Sequence, residues 1–222
     1  MGFLRMEFGT RHERRALTMS TATVEESRPG AEGHHEGSHD VVPVRRTAMW
    51  IFLGSESMFF GAMIATFLLY RNTTNGGPGS EIFAIPFTSA SSFVLLMSSL
   101  TMVLAHHSFG NKDLRQTRVW LVATALLGAT FIAGQIFEFT RFVDEGLRLG
   151  TSPFSSAFYM LTGFHGLHVF IGVLLLSAMV ILSATGRLKE DSGLNVELVG
   201  LYWHFVDIVW IVIFTVVYLL QV

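Results

Sequence analysis

Five long apolar runs decide what this chain can fold into. They cover about residues 48–70, 86–107, 119–140, 155–185 and 197–220. Each is at least about 20 residues long, enough to cross ~30 Å of hydrocarbon at 1.5 Å per residue. Lipid offers no partner to a backbone N–H or C=O, so each run must satisfy its own, and a helix does so. No period-two alternation runs through them, which excludes a barrel. The fourth run is the longest, which implies tilt or extension beyond the bilayer. The fold class expected is all-α integral membrane, a bundle of five transmembrane helices.

Composition agrees. Half of the residues are hydrophobic and 14% are charged, against about a quarter charged in a typical soluble domain. The chain has no cysteine. Disulfides, thiolate metal sites, cysteine nucleophiles and iron–sulfur clusters are thereby excluded, and any metal or haem would rest on histidine, methionine or carboxylate. The net charge of −2 comes with no basic face, so no nucleic-acid partner is expected.

Residues 1–47 are polar, rich in Glu, Arg, Gly and His, and lack apolar periodicity. They read as a disordered N-terminal tail ahead of a transmembrane domain at 48–222. No run of signal-peptide length lies near the start, so cleavable secretion is not expected. Met1, Met6 and Met19 each offer a start. The tail stretch "HHEGSHD" carries His34, His35, His39 and Asp40, residue types that bind divalent metals. A flexible segment imposes no coordination geometry, so the preferred reading is a solvated tail.

Loop charge sets the orientation. Arg45, Arg46, Lys112, Arg115, Arg118, Arg187 and Lys189 flank one side, and Arg71, Arg141 and Arg148 the other, seven against three. Excess Lys and Arg marks the cytoplasmic side. The N-terminus is expected in the cytoplasm and the C-terminus outside.

Polar residues inside the spans need a reason, because a charge at mid-helix costs on the order of 2.5–3.5 kcal/mol on insertion scales. Glu56 in "GSESMFFG" and Asp207 in "YWHFVDIVW" fall in the cytoplasmic half by this reading, with His204 one turn from Asp207. His106 and His107 end the second helix at the same surface. An outer group comprises His165 and His168 in "TGFHGLHV" and Gln135 and Glu138 in "GQIFEF". The polar faces of the third and fourth helices are expected to meet. Two readings compete: ion, proton, metal or haem binding, or hydrogen bonds that fix helix packing, which lipid cannot drive. For the histidines and Gln135 packing is preferred, and for Glu56 the two stand even. Asp207 is expected to bond His204 or indole N–H groups, or to move protons. Ser57 with Gly61, and Thr162 with Gly166, provide small faces for close packing. Trp203 and Trp210, seven apart, form a stripe suited to a subunit interface or a lipid groove. Bis-histidine haem needs facing histidines at one depth on different helices; His107 with His204 is the pair that approaches this, and it is disfavoured.

The stretches "SESMFFGAMIATF", "AHHS", "GQIFEF", "FYMLTGFHGLHVFIG" and "YWHFVDIVWIVIFTVVYL" resemble successive motifs of subunit III of the haem–copper oxidases, in the family's order and spacing over about residues 48–222. The resemblance implies a non-catalytic subunit of a proton-translocating terminal oxidase in the bacterial cytoplasmic membrane. It implies no redox centre in this chain, with haems and copper in partner subunits. It also implies a main contact with subunit I, further contacts with subunit II and small subunits, and bound structural phospholipid. Support of proton uptake by subunit I and protection during turnover belong to the same implication. Glu56 matches the family's lipid-buried carboxylate associated with carbodiimide labelling. His165 and His168 match the fourth-helix motif, and His204 and Asp207 the last-helix motif. The chain lacks the first two helices of the family's seven-helix form, which leaves one arm of a lipid-filled cleft to another chain. Glu56 in "SESMFF" favours cytochrome c as electron donor, whereas "NGGPGSEIFAIPF" resembles the quinol-oxidase form. A proton-coupled transporter using Glu56 and Asp207, and a membrane cytochrome, are the rival classes. The first would call for broken helices and repeated halves, which this sequence lacks.

Overall fold

The computed structural model describes residues 41–188 and 192–220. They form five helices: α1 (Val41–Tyr70), α2 (Ile85–Gly110), α3 (Leu114–Asp144), α4 (Pro153–Ala184) and α5 (Gly193–Phe214). A five-residue π-helical turn, Thr215–Leu219, extends α5. All five are long and apolar enough to cross a membrane, and no strand occurs among the described residues.

The helices outrun the apolar segments. The tail boundary expected at residue 47 is replaced by a helix that begins at Val41. Its first turns carry charge, and they are held where Arg46 meets Glu197 of α5 at 2.6 Å. Hydropathy marks the length in contact with lipid, whereas a helix continues as long as its end finds partners. α3 likewise starts at Leu114, where Asp113 accepts from the Gln116 N–H at 3.0 Å. α4 opens with Pro153 behind a reciprocal Ser152–Ser155 capping box. The histidines and Asp40 of the N-terminal stretch lie outside the described residues.

Cross-helix contacts set the topology. α2 packs on α3, α3 on α4, α4 on α5 and α5 back on α2, closing a four-helix ring; α1 lies outside it against α4 and α5. Phe67 meets Phe154 and Phe60 meets His168, so α1 and α4 run antiparallel. Arg46–Glu197 and Phe60–Phe205 place α1 parallel to α5. α1 is accordingly the least buried span and α5 the most.

Trp203 of α5 occupies the centre of the ring with 0% of its surface exposed. It fits because two facing residues have no side chain. A Cβ on Gly128 of α3 would lie 2.5 Å from the indole Cη2, and one on Gly172 of α4 would lie 2.7 Å from Cζ3. The indole N–H completes the fit by donating to Ser98 Oγ of α2 at 3.0 Å. Contacts with three helices thus converge on one residue of the fourth. Small residues that admit a large neighbour are how helices approach closely without help from a hydrophobic driving force.

Candidate functional site

Three sets of polar contacts join the helices at membrane depth. The first links α1 to α4. Glu56, 21% exposed at its side chain, places Oε2 3.3 Å from Nε2 of His168, 9% exposed. The other ring nitrogen, Nδ1, lies 2.9 Å from the Phe164 carbonyl. A carbonyl only accepts, so Nδ1 carries a proton and Nε2 is left to face the acid. The pair is either a carboxylic acid donating to neutral imidazole or an imidazolium against a carboxylate. In both cases the facing atoms share one proton.

This contact corrects the division of polar residues by depth. Loop charge and sequence position put Glu56 in the cytoplasmic half and His168 in the outer half, yet they meet. With α1 starting at Val41, Glu56 lies about 22 Å along it at 1.5 Å per residue, near the middle of the span. The acid that lacks a partner on its own helix finds one on α4.

The second set is the seam between α5 and α2. Trp203 donates to Ser98 at 3.0 Å and Trp210 to Ser92 at 2.8 Å. His204 Nδ1 lies 2.7 Å from Ser99 Oγ. The expectation that Asp207 bonds His204 or the indoles is therefore corrected: all three turn to serines on the neighbouring helix. Both tryptophans are buried inside the bundle, not laid along a subunit interface or lipid groove. Asp207 is 2% exposed, and neither carboxyl oxygen makes a formed hydrogen bond.

The third set belongs to α3. Gln135 donates to the Thr162 carbonyl at 2.8 Å, and its Oε1 fills the space beside Gly166. The small Thr162–Gly166 face does admit a close neighbour. Glu138 turns away from α4 to accept from Thr88 of α2, with the Tyr218 hydroxyl beside the same carboxyl. The third and fourth helices thus meet through Gln135 alone of the two expected residues. Ser57 and Gly61 differ from expectation too: Ser57 bonds the Leu53 carbonyl of its own helix, and nothing lies near a Cβ built on Gly61. Their stripe faces outward.

Three histidines remain to be placed. His165 is wholly buried with neither ring nitrogen hydrogen bonded. It stacks on Trp210 at 4.8 Å and meets Phe131 edge-on at 6.1 Å. His106 and His107 are exposed at the end of α2, where Asn111 donates to His107 Nε2 at 3.1 Å. Among the described residues no group of three or more His, Asp or Glu is placed to hold a metal ion.

A sequence model described as "Cytochrome c oxidase subunit III" matches residues 22–222. The chain belongs to the cytochrome c oxidase subunit III family. Its relatives include cytochrome c oxidase subunit 3 of Bacillus sp. (strain PS3), 42% identical over 77% of this chain and 83% of the relative. Quinol oxidase subunit 3 of Bacillus spizizenii is 41% identical over 77% and 84%. Cytochrome bo(3) ubiquinol oxidase subunit 3 of Pseudomonas aeruginosa is 37% identical over 91% and 99%. Within this family fold, the residues that sequence reasoning missed are the hydroxyls of α2: Thr88, Ser92, Ser98 and Ser99. A signal was present, since Ser92 and Ser98 are six apart, close to the seven that separate their partners Trp210 and Trp203.

Proposed function

We propose that this chain is the accessory subunit III of a bacterial haem–copper oxidase. It supports reduction of oxygen to water coupled to proton translocation without carrying a redox centre. The observation that carries the reading is the family match over residues 22–222, together with the character of the intramembrane polar groups. Glu56, Gln135, Glu138 and His204 are spent on contacts between helices. They therefore serve as anchors of the bundle rather than ligands. The chain sits in the cytoplasmic membrane with its N-terminus inside, by the loop-charge asymmetry, and docks mainly on subunit I, with subunit II and small subunits nearby. Haems and copper belong to those partners.

An apolar groove of about 510 Å³ between α1, α4 and α5 runs past Met49, Phe52, Leu175, Met179 and Tyr202 to His168. Its lining suits an acyl chain of a structural phospholipid. Cytochrome c is the donor we assign, from Glu56 in "SESMFF". A quinol oxidase is the second reading, favoured by relatives of that name at nearly equal identity.

The test is to purify the oxidase from membranes with and without this chain. Both preparations should show the same haem spectrum, and the one lacking the chain should lose oxygen consumption during sustained turnover. A complex whose haem content falls in proportion to this chain would overturn the non-catalytic assignment.

A further inference from the structure

The loop between α1 and α2 forms a pocket at the end of the bundle opposite the Arg46–Glu197 pair. There the span of α1 stops at Tyr70, that of α2 starts at Ile85 and that of α5 stops at Leu219. This level is the headgroup layer, because hydrocarbon fills only ~30 Å of a bilayer about 40–45 Å thick. Arg71, Asn72, Thr74, Ser80, Glu81 and Leu220 line about 370 Å³ of space. The walls are fixed by the loop's own bonds. The Thr73 N–H donates to the Tyr70 carbonyl and the Gly77 N–H to that of Thr74, each at 2.9 Å, and the Phe154 N–H of α4 reaches the Thr73 carbonyl at 3.3 Å. Phe83, 9% exposed, ends the loop among the rings of Phe142, Phe154, Phe158 and Tyr218. Glu81 is held as well: its Oε1 accepts from the Gly79 N–H at 2.9 Å, and a Cβ on Gly79 would lie 2.7 Å from Oε2. Arg71 has no ion-pair partner among the described residues. A guanidinium and a carboxylate thus line one pocket without neutralising each other, with an amide and two hydroxyls as further hydrogen-bonding groups. An apolar groove of about 430 Å³ runs between α1 and α4 in the same half of the bundle, lined by Phe59, Met63, Tyr70, Pro153, Ala157 and Met160. Groove and pocket adjoin at Tyr70 and Arg71, which line one each.

We propose that this pocket binds the head of a zwitterionic phospholipid bearing a primary ammonium, with Arg71 on the phosphate, Glu81 on the ammonium and an acyl chain in the α1–α4 groove. A guanidinium presents paired N–H donors that match phosphate oxygens. A primary ammonium has three N–H groups to give, and a carboxylate only accepts. The backbone N–H on Glu81 favours its charged form and holds its pKa below the ordinary 4.5, so the acceptor is ionised at neutral pH. A choline head has no N–H to offer, and an anionic glycerol head would meet the charge of Glu81 with its own. A free phosphate would gain from Arg71, lose at Glu81 and leave the groove unused. This site is separate from the groove past Met49 and Met179, which lies toward the other end of the bundle. It stands whichever electron donor the complex uses.

The experiment is native mass spectrometry of the full chain in mild detergent, titrated with phosphatidylethanolamine, phosphatidylcholine or phosphatidylglycerol of matched acyl chains. The wild type should bind the ethanolamine lipid about tenfold more tightly than the other two, the difference one charge-assisted hydrogen bond supplies. Glu81→Gln should erase that preference. Gly79→Ala keeps the charge but pushes the carboxylate aside, and should weaken it. Arg71→Gln should weaken binding of all three lipids, again about tenfold. Arg71 and Glu81 are exposed loop residues, so these variants keep the fold. Equal affinity of the wild type for the three lipids, or a preference that survives Glu81→Gln, would overturn the assignment. Free phosphoethanolamine binding as tightly as the lipid would overturn the lipid as occupant.

Discussion

Replacing Gly172 with alanine tests the slot that locates Trp203. The new Cβ would lie 2.7 and 2.8 Å from the indole Cζ3 and Cε3. The ring cannot retreat: Gly128 closes the far side at 2.5 Å from a Cβ position, and the N–H is tied to Ser98. Overpacking a filled core costs about 1–3 kcal/mol, and contact on both faces places this site at the upper end. Alanine recovers about 1 kcal/mol of helix propensity over glycine. The net loss is about 2 kcal/mol, which lowers the unfolding midpoint of a chain this size by about 4–8 °C. Thermal unfolding in mild detergent, followed by tryptophan fluorescence, measures it. Phenylalanine lacks the indole's second ring, so Gly172→Ala introduced into Trp203→Phe should be neutral or stabilising. If Gly172→Ala leaves the wild-type midpoint unchanged, the slot is not tight and the account of the ring fails.

Other substitutions separate the remaining contacts. Gly61→Ala, whose Cβ meets nothing, should keep the isolated chain's midpoint or raise it slightly; a fall would mean that α1 is packed differently. Glu56→Leu strips His168 Nε2 of its partner and should cost about 1–3 kcal/mol, with part of the loss restored in Glu56→Leu/His168→Leu; equal losses in the single and double variants would deny the pair. A hydrophobic carbodiimide should label Glu56 ahead of Glu138, which is 6% exposed, as read by peptide mass analysis. In the loop before α2, the Gly79 N–H donates to Glu81 at 2.9 Å and holds its carboxyl below the ordinary value of 4.5. The folded group titrates lower than the unfolded one, so its small stabilisation is complete above the unfolded pKa. It fades as pH falls through the folded pKa. Glu81→Gln should flatten that acid-side slope, and an unaltered slope would remove the contribution.

Five spans were legible because lipid makes apolar length and backbone self-satisfaction nearly the only requirements. Their ends were not. The first turns of α1 carry Arg45 and Arg46, and the Arg46–Glu197 pair that holds them joins residues far apart in sequence. The polar residues were found for the same reason that the spans were, as exceptions to an apolar background. Their partners were hidden because periodicity gives a helix face but not the neighbour it meets. Glu56 and His168 therefore fell into different depth groups, and Asp207 was paired with its own helix. The serines of α2 escaped notice since a hydroxyl is cheap to bury and interrupts hydropathy little. Only the ring α2–α3–α4–α5 reveals that Trp203 and Trp210 need them.

The central claim is that these intramembrane groups join helices in a chain that serves redox-active neighbours. Affinity purification of the chain in mild detergent, with an absorption spectrum and mass analysis of what accompanies it, tests that claim most directly. The account predicts a coloured complex containing larger haem-bearing subunits, and a colourless chain once it is separated from them. Porphyrin retained on the separated chain, or a chain that purifies with no haem-bearing partner, would contradict it.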